Sequence, residues 1–137
     1  MYKIPLLIGK WKVKKSISQK VTINGYCFIT KISEHNFELK ENIKINVNED
    51  LISGYQLFKI REKKSSIIFY FNAGQNQNQK LYTFIKKNTS SESLFFCKKD
   101  LYLANFKVIN NNFFIMKTKI KGPKKNLCIF AKYYRTI

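Results

Sequence analysis

The chain has 137 residues and a formal net charge of +18, with 24 lysines and only two arginines. That length suits one domain, residues 1–137. With 45% hydrophobic and 15% aromatic residues it can build a core, which excludes wholesale disorder. No apolar run approaches the roughly 20 residues of a membrane helix, and Pro5 interrupts the short stretch Ile4 to Ile8.

The N-terminal stretch Met1–Ile8 can form a helical turn with Pro5 early in it. Ten short β-rich runs follow. They are Lys10–Val21, Tyr26–Ser33, Phe37–Val47, Tyr55–Arg61, Ser66–Phe71, Lys80–Lys86, Ser93–Cys97, Tyr102–Ile109, Phe113–Ile120 and Leu127–Tyr134. Turns are expected at Asn24-Gly25, Ser53-Gly54, Ala73-Gly74, Asn110–Asn112 and Gly122-Pro123. Ile43-Lys44-Ile45-Asn46-Val47-Asn48 alternates strictly, the mark of an antiparallel sheet with one wet face. Helical patterning is otherwise nearly absent, and β-branched and aromatic residues dominate. The reading is an all-β, antiparallel up-and-down barrel of nine to ten strands, lipocalin-like, because closure removes exposed edges. Such a barrel encloses one small ligand or is filled by its own side chains.

Lys, Asn, Ile, Phe and Tyr make up 76 of the 137 residues, whereas Gly, Ala, Arg and Pro together supply 12. The first group has AT-rich codons, so much of the positive charge reflects codon bias. This weakens the inference from basic charge to nucleic acid. Cys27, Cys97 and Cys128 are odd in number and widely spaced, and His35 stands alone. No disulfide framework or metal site follows, and the pattern fits a reducing compartment. Buried apolar cysteine is the default over a pair of Cys27 or Cys97 with His35.

The opening Gly9-Lys10-Trp11-Lys12-Val13-Lys14-Lys15-Ser16 resembles the start of the S-type phycobiliprotein lyases, the CpcS/CpeS family, which read G-K-W-x-S-Q-R-T. Glu92-Ser93-Leu94-Phe95-Phe96-Cys97-Lys98-Lys99-Asp100-Leu101-Tyr102-Leu103 is similar, without a gap, to the family's E-R-I-W-F-x-x-P-N-L-R-L. Leu81-Tyr82-Thr83-Phe84-Ile85 resembles its L-x-L-x-T strand, and Phe130-Ala131-Lys132-Tyr133-Tyr134-Arg135 its terminal F-C-S-E-I-R. The pieces keep the family's order; the middle, from Asn36 to Asn78, carries no match. Family arginines fall on Lys15, Tyr102 and Ala104, and a family glutamate falls on Tyr133.

The resemblance implies a bilin lyase or bilin chaperone in the plastid (chloroplast) of an alga. It would hold an open-chain tetrapyrrole, phycoerythrobilin or phycocyanobilin, as substrate, with no permanent cofactor. It would promote thioether attachment to a cysteine of a phycobiliprotein α or β subunit. Glu92 is the expected acid, favoured in its protonated form by burial beside Phe95 and Phe96. Lys15 and Arg135 are the expected partners of the bilin propionates. Trp11, Ser16, Phe95, Tyr102 and Tyr133 are expected to line or stack on the chromophore. A homodimer or a related lyase subunit is a further expected partner. Two other readings stand beside it: a basic barrel that binds RNA, and a lipocalin-like carrier of another hydrophobic ligand.

Overall fold

The computed structural model describes residues 3–18, 20–47, 49–72, 77–86 and 90–136. A 3-10 turn, Ile4–Leu7, leads into ten antiparallel strands: β1 (Gly9–Ile17), β2 (Val21–Ser33), β3 (Asn36–Val47), β4 (Asp50–Glu62), β5 (Ser66–Phe71), β6 (Lys80–Ile85), β7 (Ser90–Cys97), β8 (Asp100–Asn110), β9 (Phe113–Lys121) and β10 (Asn126–Arg135). Neighbours in sequence are neighbours in the sheet, and β1 also pairs with β10. The sheet therefore curls into a nearly closed up-and-down barrel. Its two end strands, β6 and β7, meet at a seam where the Thr83 N–H donates to Ser93 Oγ at 3.0 Å. The expected fold class and the N-terminal turn with Pro5 at its start are both present.

Strand alternation explains which side chains face inward. In β3, Phe37, Leu39, Glu41 and Ile43 are buried while Lys40, Asn42 and Lys44 are exposed. In β1, Trp11 and Val13 are buried between exposed lysines. A register shift between Phe69 and Tyr70 lets one strand carry an extra residue opposite the other, and both Leu81 and Tyr82 then reach the interior.

One end of the barrel is shut. Ile4 and Leu7 plug it, and Trp11 lies above them with its indole N–H donating to the Leu7 carbonyl at 2.9 Å. Glu62 holds the plug from below: its carboxylate accepts the Ile4 N–H and pairs with the buried Lys86, both at 2.8 Å. Arg135 closes the other side, donating to the carbonyls of Leu6, Ile8 and Asn111, with its guanidinium 4.3 Å over the Trp11 ring.

Two expected turns lie inside strands. Asn24-Gly25 is in the middle of β2, and Ser53-Gly54 is in β4. The chain reverses instead between Ile17 and Val21, and at Glu49, which adopts a positive φ of 72°. The Asn110–Asn112 and Gly122-Pro123 turns occur as expected, and Ala73-Gly74 lies outside the described residues. Gly25 makes space rather than a turn: a Cβ there would collide with the Asn42 carbonyl oxygen of β3. A Cβ on Gly54 would meet only the Ile43 side chain, at 3.0 Å. Gly25→Ala should therefore lower stability by about 1–3 kcal/mol, and Gly54→Ala by clearly less. Urea denaturation of the two variants checks the order; equal costs would contradict it.

Candidate ligand-binding cavity

The opposite end is open, and beneath it lies a cavity of about 250 Å³. Its walls are mostly apolar: Leu39, Phe58, Phe69, Phe71, Phe95 and Phe106 are joined by Phe114, Met116, Ile120, Ile129 and Ala131. Phe71, Tyr82, Phe95 and Tyr102 form an aromatic chain across the β6–β7 seam, with centroids 5.9–6.4 Å apart at Phe95. Polar groups are few and placed: Lys15, Glu41, Gln56, Thr118 and the hydroxyls of Tyr82, Tyr102 and Tyr133. An apolar hollow with a small number of oriented polar groups is the usual form of a small-molecule site.

Glu41 is the centre of this set. Its side chain is 1% exposed, and Lys15 Nζ lies 2.7 Å from Oε2. The Tyr133 hydroxyl donates to Oε1 at 3.0 Å. Two of the four acceptor sites on the carboxylate are thereby used. The Tyr133 ring stacks on Phe114 at 4.3 Å and 8°, and Phe114 packs edge-on against Trp11 at 4.7 Å. A continuous column thus runs from Arg135 at the shut end to Lys15 near the mouth. Burial and the neighbouring Glu41 charge push the Tyr133 hydroxyl well above its ordinary range. Burial, then Glu41, also raises the Cys27 thiol, while Lys15 opposes this. Burial pushes Tyr82 up to about 12, against the pull of Thr118, which favours the phenolate.

The expected site residues divide into three groups. Lys15, Phe95, Tyr102 and Tyr133 line the cavity together. Trp11 and Arg135 belong to the shut end: Trp11 is fully buried beneath Phe114, and the Arg135 donors are spent on backbone carbonyls. Lys15 reaches the interior, but its charge is tied to Glu41. Ser16 points the other way, into an outer groove with Lys117, Lys119 and Phe130. Glu92 requires a correction: it is exposed, and so is Phe96 at 70%. Alternation puts Glu92 on the outer face, whereas Phe95, three residues on, faces in. The carboxylate that the interior does hold, Glu41, comes from the stretch without a motif match. Its signal was available: Glu41 takes an inward phase of β3, as Lys15 does in β1. Among the described residues, no group of three or more His, Cys, Asp or Glu is arranged to hold a metal ion.

Removing one partner of the buried pair strands the other charge. Lys15→Met should cost about 3–5 kcal/mol, and adding Glu41→Leu should recover much of it. Urea midpoints of the single and double variants decide this; a double variant no more stable than the single would refute the pairing. Tyr82 gives a pH signature. Its folded value lies above the ordinary 10.0, so its contribution is complete below pH 10.0 and is lost as pH rises toward about 12. Wild type should lose stability relative to Tyr82→Phe across that window, measured by denaturation at each pH. A constant difference would contradict it.

The barrel is similar to solved structures at identities that concern the fold alone. The S-type phycobiliprotein lyase CPES from Guillardia theta matches with a TM-score of 0.66 and 8% identity, covering 98% of this chain and 90% of that one. A de novo designed fluorescence-activating β-barrel matches with a TM-score of 0.59 and 9% identity over 99% and 100% of the two chains. The barrel EF1p2_mFAP2b bound to DFHBI gives 0.57 and 11%, over 96% and 95%. No curated protein matches the sequence. A family model matches residues 7–135, so the chain belongs to DUF6314, a family of unknown function.

Proposed function

We propose that this barrel binds an open-chain tetrapyrrole and promotes its thioether attachment to a cysteine of a phycobiliprotein subunit, in an algal plastid. The observation that carries this reading is the cavity itself: aromatic walls around one buried carboxylate, in a barrel similar to an S-type lyase. The ordered sequence resemblance to the CpcS/CpeS family adds to it.

The chemistry asks little of the protein. The acceptor thiol adds across the ethylidene double bond of the bilin: a C–S bond forms, the C=C π bond opens, and the thiol proton ends on the neighbouring carbon. No oxidant or nucleophile of the barrel is consumed. Glu41 takes the part first expected of Glu92. Its free acceptor sites hydrogen-bond pyrrole N–H groups and stabilise the protonated, more electrophilic tetrapyrrole. Tyr133 stands where the family has glutamate, and it donates to Glu41, so a carboxylate reaches the same region from β3. Tyr102 and Phe95 pack against the ring system.

The cavity, about 250 Å³, falls just under the ~300–1,000 Å³ of drug-sized pockets. A tetrapyrrole would leave part of its length at the mouth, where an acceptor cysteine can reach it. Mixing the protein with phycoerythrobilin or phycocyanobilin should shift the absorption band of the pigment. Ala131→Trp, which fills the cavity from β10, should abolish the shift while circular dichroism shows the barrel intact. A free-bilin spectrum in the presence of wild-type protein would sink the reading.

A further inference from the structure

The ligand's carboxylates have no place inside the cavity. Lys15 is neutralised by Glu41, and Lys86 by Glu62. Arg135 spends its donors at the shut end. An anionic group carried inward would lose water without gaining an unpaired cation among the described lining residues, which is strongly unfavourable.

The mouth is different, and its charge is lopsided. The β7–β8 and β9–β10 hairpins are neighbours there, because β8 pairs with β9. Together they bear Lys98, Lys99, Lys121, Lys124 and Lys125. The one acid among them, Asp100, lies 3.6 Å from Lys125. The other four lysines have no ion-pair partner among the described residues. On the far rim, the β3–β4 hairpin carries Glu49 and Asp50. Lys98 and Lys99 form the β7–β8 turn directly after the lining residue Cys97, and Lys124 sits in the neighbouring β9–β10 turn, whereas Lys121 ends β9 and faces the outer groove beside Lys117 and Lys119.

We infer that the cavity takes an amphipathic anion apolar end first, its carboxylates held at the mouth by Lys98, Lys99 and Lys124. This rests on the tetrapyrrole reading and specifies its orientation: ring system inside, propionates out. Lysine is abundant everywhere in this chain, but these two adjacent turns bring Lys98, Lys99, Lys124 and Lys125 together with one acid, Asp100. Exposed lysines grip weakly and are screened by salt, so the effect is moderate and salt-sensitive.

Phycocyanobilin and its dimethyl ester separate the possibilities. Dissociation constants for both are measured by absorbance titration at low and high salt. The proteins are wild type and a variant carrying Lys98→Gln, Lys99→Gln and Lys124→Gln. At low salt, wild type should prefer the free acid by about two- to thirty-fold. The preference should shrink toward one at high salt and in the triple variant. Equal binding of acid and ester by wild type overturns the orientation alone. A preference that survives in the triple variant and vanishes in Lys15→Gln overturns it too. If neither compound binds, the tetrapyrrole reading fails and takes this inference with it.

Discussion

An ionised carboxylate inside a β-barrel is costly, and the arrangement around Glu41 follows from that cost. Moving such a group out of water carries a penalty of several kcal/mol, offset only by close pairing and further hydrogen bonds. Lys15 supplies the charge at 2.7 Å and Tyr133 the hydroxyl at 3.0 Å. These contacts tie β3 to β1 and β10 across the interior, over and above the strand ladders. Tyr133 must then stay rigid, which its stack on Phe114 ensures, and Phe114 in turn rests on Trp11. A pair replaced by apolar residues of similar volume is often no less stable. Stability alone therefore does not account for a charged pair in this largely apolar cavity.

The barrel separates two jobs along its axis. The shut end is a structural clasp, with Arg135 and Glu62 gripping the backbone of the N-terminal segment. Scarce arginine is used there for its forked geometry on carbonyls. The open end carries the aromatic cavity and the uneven rim. Ladder partners Arg135, Trp11, Cys27, Glu41 and Gln56 link the two ends, one row running from the clasp to the mouth. A row perpendicular to tilted strands climbs the barrel in this way. Glu41 is held by a register that begins at the clasp.

The strands were legible because period-two alternation is local, and each of β1–β10 overlaps a run read from the sequence, although the first run, Lys10–Val21, carries across the turn after Ile17 to the start of β2. Gly25 and Gly54 misled because glycine marks a turn and a close backbone approach with the same letter. Only the non-local neighbour, Asn42 or Ile43, distinguishes them. The lining residues Phe95, Tyr102 and Tyr133 were reachable through motif order. Glu92 failed on parity, since residues 92 and 95 of one strand cannot face the same side. Parity would also have flagged Glu41 and Lys15, two opposite charges at inward phases of separate strands. What no single strand reveals is that β1 and β3 bring them within 2.7 Å. That depends on barrel closure and register.

In the proposed complex Glu41 meets the nitrogen atoms of the bound tetrapyrrole. The most direct test is the absorption band of phycoerythrobilin bound to wild type and to Glu41→Gln. In the proposed complex the carboxylate is the counter-ion of the protonated pigment, so its loss should move the bound band to shorter wavelength, toward the neutral form. Identical bands in the two complexes would contradict the account.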